Sequence, residues 1–456
     1  MRPDIFLATI GRGSNGSNAL EVTEDRAAVT AESQDNIINR VNNVSQYGPS
    51  WHYVPGIGVA GTAYAEVPDR ALGDLAFTRA SSKTRTNAAG LIQTIGNNVP
   101  PHDYRNADGT LSTFPRLNLE PQRINSMLYS QAINSWAQKS ELTITDNNTI
   151  SPDGTQNASY IQQTTGGNAV TFQSQTVNVT TGQIQTISFF AKAKEITSIS
   201  LRLGTAGAWP VARPVFTCNL TNGTITLTAG TGTVSSQNMG NGWYRFIVVT
   251  SAVILTTGTN LQTLTGAVFS PTSGAGFYLW GVQWEQNATY PTTYIPTTTA
   301  AVTRIADAAS KTGVSSLINS QEGVLFAEIQ GLSNDTVRLA ISDGTNSNNI
   351  YIELSLSNAS AVGRVGAVNQ FSIISAQTLT NNNKIAIKYK TNDFSLWING
   401  VQVGTDTSGS TYSINTLNAI RFDRGDGGIP FYGNVRQMVL FPTALTNAQL
   451  AELTTL

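Results

Sequence analysis

Charged side chains are scarce. Lys, Arg, Asp and Glu make up 12% of the 456 residues, about half of the roughly one-quarter share of an average soluble chain. The formal net charge is −1. No run of Lys or Arg occurs, so the cation-rich face that neutralises phosphates is missing and nucleic acid is not an expected partner. Histidine is rarer still, with only His52 and His102. A Ser-His-Asp triad would have to use one of them, and neither stands near a G-x-S-x-G elbow. A zinc site needs about three or four nitrogen, sulfur or carboxylate ligands at short spacing, which no segment offers. The single cysteine, Cys218, excludes an intrachain disulfide. Its expected role is a small buried apolar residue, compatible with assembly in a reducing cytoplasm. No apolar run reaches the roughly 18 residues of a membrane span, and Met1 to Asn18 lack the apolar core of a signal peptide.

Polarity is carried instead by Thr, Ser, Asn and Gln, punctuated by 40 Gly and 16 Pro. That mixture favours short strands and turns over helices. Alternation of period two recurs at 185–194, 243–251 and 276–286, and strand candidates return at 323–332, 348–357, 383–405 and 433–446. Asn222-Gly223 and Asn399-Gly400 lie between such runs and predict hairpins. In 276–286, strict alternation puts Tyr278, Trp280, Val282 and Trp284 on one face and Phe277 and Leu279 on the other, so the strand is expected at the centre of a sandwich. Two helices are expected. One lies within 31–45, with Ile37, Val41 and Val44 at helical spacing; the other runs from Asn447 to about Leu453 behind a Thr446 cap. The fold class is therefore all-β, an N-terminal arm followed by two β-sandwich (jelly-roll) domains. The boundaries read as 1–70 for an arm too poor in apolar residues to fold alone, 71–125 for a linking segment packed on the next domain, 126–310 for a jelly roll and 311–456 for a second sandwich.

Two stretches carry a resemblance. The segments FTRASSKTRTNAAG (77–90), NNVPPHDYR (97–105) and LNLEPQRIN (117–125) precede MLYSQAINSWAQ, SPDGT, NGWYR and YLWGVQWEQNATYPTTYIPTTTAAVTRIAD. The series, over about 77–308, resembles phage tail and virion proteins that carry a carbohydrate-binding-module-like jelly roll. Residues 320–456, through FSLWINGVQVGT and FYGNVRQMVLFPTALTNAQLAEL, resemble the concanavalin-like, laminin-G-type lectin sandwich. The resemblance implies an outward-facing fibre or decoration subunit on a virion surface, anchored to other virion proteins through the arm and oligomeric, with a trimer favoured. It further implies modules that often bind glycans, here a host-surface glycan, and sometimes a calcium ion. Many phage copies act only as spacers or decoration, which keeps a purely structural subunit as the alternative.

Candidate sites follow from residue chemistry. Trp209 with Arg213, in a Gly- and Pro-flanked segment, is the expected sugar-stacking pair on a loop; Trp51 stands in similar surroundings. The other five tryptophans fall in strand patterns and read as core. Asp423 and Asp426 in a Gly-rich loop are the first candidates for Ca2+, which needs about six to eight oxygens; Asp343, Asn346 and Asn348 come second. Turn chemistry explains both loops equally. Glycoside hydrolysis needs two carboxylates about 5–10 Å apart. Its nearest candidates, Glu328 and Glu353, are lone acids on separate strands, so no enzymatic activity is expected and a polysaccharide depolymerase is the remote alternative. The glycines at 11–16 lack the Lys and the strand-to-helix setting of a phosphate loop.

Overall fold

A computed structural model describes residues 39–455, except 57, 69–71, 107, 137, 166–170, 174–175, 204–208, 255–259, 263–264 and 267–272. Residues 1–38 of the expected arm, with Ile37 and the 11–16 glycines, lie outside the described residues. The architecture is all-β, as the alternating runs require: two sandwiches, each with its own core.

The larger sandwich is built from both ends of the chain. Its first sheet has the order 401–406, 394–398, 383–390, 322–331, 433–441, 111–119, 102–105, with Trp51–Tyr53 added on 433–441. Its second has the order 58–59, 62–63, 75–78, 308–312, 419–421, 337–342, 349–355, 358–365, 368–376. The strand Gly433–Phe441 thus pairs Leu117 with Val435 and Tyr53 with Met438. Trp51, Tyr53, Leu75, Phe77, Leu117 and Leu119 are buried in the same core as Leu325, Ile352 and Leu396. This corrects the expected boundaries. Residues 51–68 are strands and turns of the last sandwich, and the linking segment contributes strands to it. The hairpin Lys83–Thr86/Ile92–Ile95 leans the other way, with Ile92 packed beside Phe190, Trp243 and Trp280 of the central sandwich, and Asn125 bonds to Val282 and Trp284 there.

Two short helices cover the outer face of the first sheet, where Val324, Phe326, Val439 and Phe441 would otherwise meet water. One is the helical stretch 39–45, which buries Val41 and Val44. The other is Asn447–Thr455, which buries Leu450 and Leu453. Thr446 Oγ1 accepts from Gln449 N at 3.3 Å while Gln449 Oε1 accepts from Thr446 N at 2.9 Å, a reciprocal cap that starts the helix where the sequence placed it. The described part of the arm therefore docks within its own chain, and Arg40 forms an ion pair with buried Glu328 on that face.

The central sandwich sets a six-stranded sheet, in the order 142–149, 158–163, 276–286, 185–193, 243–250, 232–240, against a four-stranded one. Its middle strand, Gly276–Gln286, departs from strict alternation. At Gly281 (φ +62°) the register with Gln185–Ala193 shifts between Ser188 and Phe190. The bulge flips the pleat, so Val282 and Trp284 join Phe277 and Leu279 in the inner core, while Tyr278 and Trp280 face the other way. A Cβ at Gly281 would sit 2.7 Å from the Phe190 ring. Gly281→Ala, strained both in φ and in space, is expected to destabilise the chain by about 1–3 kcal/mol in urea unfolding.

The chain enters the central sandwich after Glu120 and leaves it before Asp307, and the two crossings are tied together. Arg123–Asn125 pairs with Val302–Arg304. Asp307 N donates to Glu120 O at 3.0 Å, and Glu120 N donates to Asp307 Oδ2 at 2.8 Å. Around this pair lies a buried ionic cluster: Arg79–Asp307 at 3.1 Å, Lys83–Asp307 at 2.7 Å, Lys83–Glu120 at 3.0 Å and Arg304–Glu120 at 2.7 Å, every side chain at most 3% exposed. Among the described residues, no helix is long and apolar enough to cross a membrane.

Candidate functional site: a cleft between the two sandwiches

The seam between the sandwiches opens as a cleft of about 330 Å³. One wall comes from the hairpin His102–Arg105/Leu111–Leu119, the other from Gly232–Gly240 and Trp243–Thr250, with 290–294 completing the lining. The walls are held close. Arg105 donates to Gly109 O at 2.6 Å, to Gly90 O at 3.1 Å and across the seam to Asn238 O at 2.9 Å. A Cβ on Gly109 (φ +85°) would lie 2.8 Å from Gln237 Cβ, so the turn sits directly on the opposite wall. Thr84 Oγ1 also crosses, donating to Tyr294 O at 2.5 Å.

Strand alternation aims the charged lining. In Trp243–Thr250, Phe246 and Val248 enter the inner core, so Arg245 emerges on the opposite face. Its Nη2 donates to Thr292 O at 2.7 Å and Ser188 Oγ at 2.9 Å, and its guanidinium lies 5.5 Å from the Phe190 ring centre. Arg116, on the hairpin, reaches Asn106 Oδ1 at 3.5 Å. Burial, opposed by nearby Asp103 and reinforced by Arg436, draws the Arg116 guanidinium down to about 10. The acids are already engaged. Asp103 accepts from Thr86 N at 2.9 Å and Arg105 N at 2.7 Å. Burial pulls Glu120 upward, but Arg304, Lys83 and the Thr293 hydroxyl outweigh it and hold the carboxyl at about 2. The cleft therefore offers guanidinium, hydroxyl and amide groups, with half-buried Tyr290 as aromatic surface. Glu120 is thus not placed to trade protons near neutral pH.

The residues expected from sequence to form sites are not brought together here. Trp209 is 4% exposed and belongs to the central core, so its ring cannot receive a sugar; Arg213 is half-buried nearby. Trp51 is fully buried and donates to Gly73 O at 2.7 Å. The Ca2+ loop does not suit the ion. Asp423 Oδ1 accepts from Gly425 N at 2.6 Å and Gly427 N at 3.1 Å, and Arg421 pairs with the same carboxylate. Asp426 accepts from Arg424 through both oxygens. A cation would have to displace bonded donors of like charge, and turn chemistry accounts for both acids. Asp343 likewise caps its own turn through Thr345 and Asn348. Among the described residues, no cluster of three His, Cys, Asp or Glu could hold a metal. Glu328 and Glu353 lie on the outer faces of opposite sheets, with the core between them; Glu328 is paired with Arg40 and Glu353 with Arg338. They cannot flank one glycosidic bond.

The sequence reading passed over the cleft arginines, although a signal was present. In a chain this poor in charge, Arg79, Lys83, Arg85, Asp103, Arg105, Arg116 and Glu120 crowd into 79–120, within and between the motifs that carry the phage resemblance.

No protein-family model matches the chain, and no curated protein matches it. Among solved structures, the chain is similar to the carbohydrate-binding module CBM40 of Ruminococcus gnavus IT-sialidase bound to α2,3-sialyllactose. The identity is 16% and the TM-score 0.27, over 29% of this chain and 83% of that one. It is also similar to domain 4 of AbnA, an extracellular arabinanase of Geobacillus stearothermophilus, in complex with arabinotriose (15%, TM-score 0.26, 33% of this chain and 77% of that one). The receptor-binding domain of botulinum neurotoxin mosaic serotype C/D is similar at 13% (TM-score 0.26, 32% and 38%). These likenesses are partial and carry neither ligand nor activity across to this chain.

Proposed function

We propose that this chain is a non-catalytic, glycan-binding subunit on the outside of a bacteriophage particle, a fibre or surface decoration that contributes to host attachment. The observation that carries the glycan part is the cleft, rich in donors and walled by two rigid sandwiches. Sugars are recognised by hydrogen bonds from fixed polar groups beside aromatic surface, and sites held between rigid elements keep that geometry. The phage setting rests on the motif series, whose residues form the junction and contribute to both walls of the same cleft. Weak single-site binding would suffice, because many copies on one particle raise the effective concentration.

A panel of immobilised bacterial surface polysaccharides tests this reading. Saturable binding of the purified full chain, with no reducing ends released on long incubation, is the expected result. Release of reducing ends would replace it with a depolymerase. No binding by folded protein would leave structural decoration. An antibody raised against the chain should label the exterior of the particle that carries it; absence of label would remove the virion setting.

A further inference from the structure

We infer that the cleft selects acidic saccharides, seating a sugar carboxylate or sulfate against Arg116 and Arg245. This deepens the glycan-binding reading of the same cleft and rests on it.

Four guanidinium groups line the cleft, Arg85, Arg105, Arg116 and Arg245, against two carboxylates, Asp103 and Glu120. Both carboxylates are engaged by backbone amides or by cations of the junction, as described above. Arg105 is committed to backbone carbonyls on both walls. Arg116 and Arg245 are 7% and 8% exposed and are only partly engaged. Arg116 reaches Asn106 Oδ1 at 3.5 Å and Arg245 Nη2 is held by Thr292 O and Ser188 Oγ, while the Nε of each has no hydrogen-bond partner. A cationic donor buried without an acceptor is costly. An oxyanion entering the cleft would supply a charge-assisted bond where competing water is restricted. The planar donor fork of a guanidinium fits the paired oxygens of a carboxylate or sulfate. Of the charged groups just beyond the lining, Asp108 is bonded to Thr110 and Glu285 to Thr292, while Arg436 adds to the positive potential at Arg116. The chain as a whole carries a net charge of −1, so this cationic cleft is a local arrangement and not a by-product of a basic protein. Its volume lies near the lower end of the roughly 300–1,000 Å³ of small-molecule sites, which suits a short saccharide end.

Calorimetric titration of the full chain with three oligosaccharides of equal length tests the inference: an oligogalacturonate, a sulfated carrageenan fragment and a neutral galacto-oligosaccharide. At least one acidic ligand should bind about tenfold or more tighter than the neutral one, and the arm that does so identifies the anion. Arg116→Gln should abolish that preference, bringing the affinity for the acidic ligand down to that for the neutral one, and Arg116→Lys should restore part of it. Equal affinity for all three, unchanged by Arg116→Gln, would overturn the acidic selectivity and leave the glycan reading standing. No binding by any of them would count against both. Displacement by free sulfate as effectively as by the oligosaccharide would reduce the cleft to a simple anion site and overturn the saccharide assignment. Should Arg116→Gln fail to fold, the wild-type chain decides. Raising NaCl from about 50 to about 500 mM must weaken the acidic ligand more than the neutral one, and equal weakening overturns the inference.

Discussion

Replacing Asp307 with alanine is expected to cost about 3–5 kcal/mol, a large part of the roughly 5–15 kcal/mol that holds a domain folded. The carboxylate is fully buried between Arg79 and Lys83, and its Oδ2 also accepts from the Glu120 amide. Without it, Arg79 keeps only the carbonyls of Ser81, Gly96 and Val99, and Lys83 keeps Glu120 and Asn118. Two buried cations would then share one acid, Glu120, which already holds Arg304. The damage falls where the chain passes between the sandwiches, so the two should also lose cooperativity. Urea unfolding followed by tryptophan fluorescence checks both effects, since Trp397 reports on the terminal sandwich and Trp284 on the central one. A lowered midpoint with a split transition is expected. A change below about 1 kcal/mol, the scale of a surface ion pair, would mean that the cluster does not join the two bodies.

Acid should destabilise the chain well before its carboxylates titrate. Burial draws His52 down to about 4 and His102 down to about 3. His52 is held by Gln437 at 3.3 Å and His102 by the Tyr53 hydroxyl at 3.3 Å, and the Nδ1 of each has no partner. Both stay neutral in the folded state over a range in which the unfolded chain, near 6.5, takes up protons. Stability is therefore complete above pH 6.5 and falls as pH drops through that value, by about 1.4 kcal/mol per pH unit for each histidine. Between pH 7.5 and 4.5 the pair should cost on the order of 5 kcal/mol. Glu120, held at about 2, contributes stability that is present above its ordinary value near 4.5 and is lost only below that. The two windows are thus separable. Urea unfolding at intervals between pH 7.5 and 4.5 should show a steep decline that flattens in a His52→Gln, His102→Gln double variant. A flat wild-type profile over that range would contradict the buried, neutral state of both rings.

Local features were legible in the sequence because their causes are local. Asn399 and Gly400 form the expected hairpin with positive φ at both positions, and Gly223 turns the other at φ +77°. The closing helix starts at its Thr446 cap. Cys218 is buried in the central core, and the tryptophans within strand patterns are buried as well. Features that depend on remote partners were not legible. Nothing near Leu117 announces that it will lie opposite Val435, and the insertion of one sandwich into the other rests on that pairing. Alternation misassigned Val282 and Trp284 because one glycine in αL resets the pleat, and Gly281 reads from sequence as an ordinary strand residue. Trp209 misled because Gly and Pro neighbours mark a loop, while burial is decided by what packs above it. The cleft shares that difficulty, since its walls come from segments more than a hundred residues apart, such as Arg105 and Asn238.

Amide hydrogen exchange on the full chain, with and without polysaccharide purified from the surface of the host, tests the cleft most directly. Bound glycan should slow exchange in 103–118 and in 233–247 together, because one ligand would touch both walls of the seam. Slowed exchange confined to 209–213 or to 423–428, or no change in either wall under saturating polysaccharide, would contradict a binding site between the sandwiches.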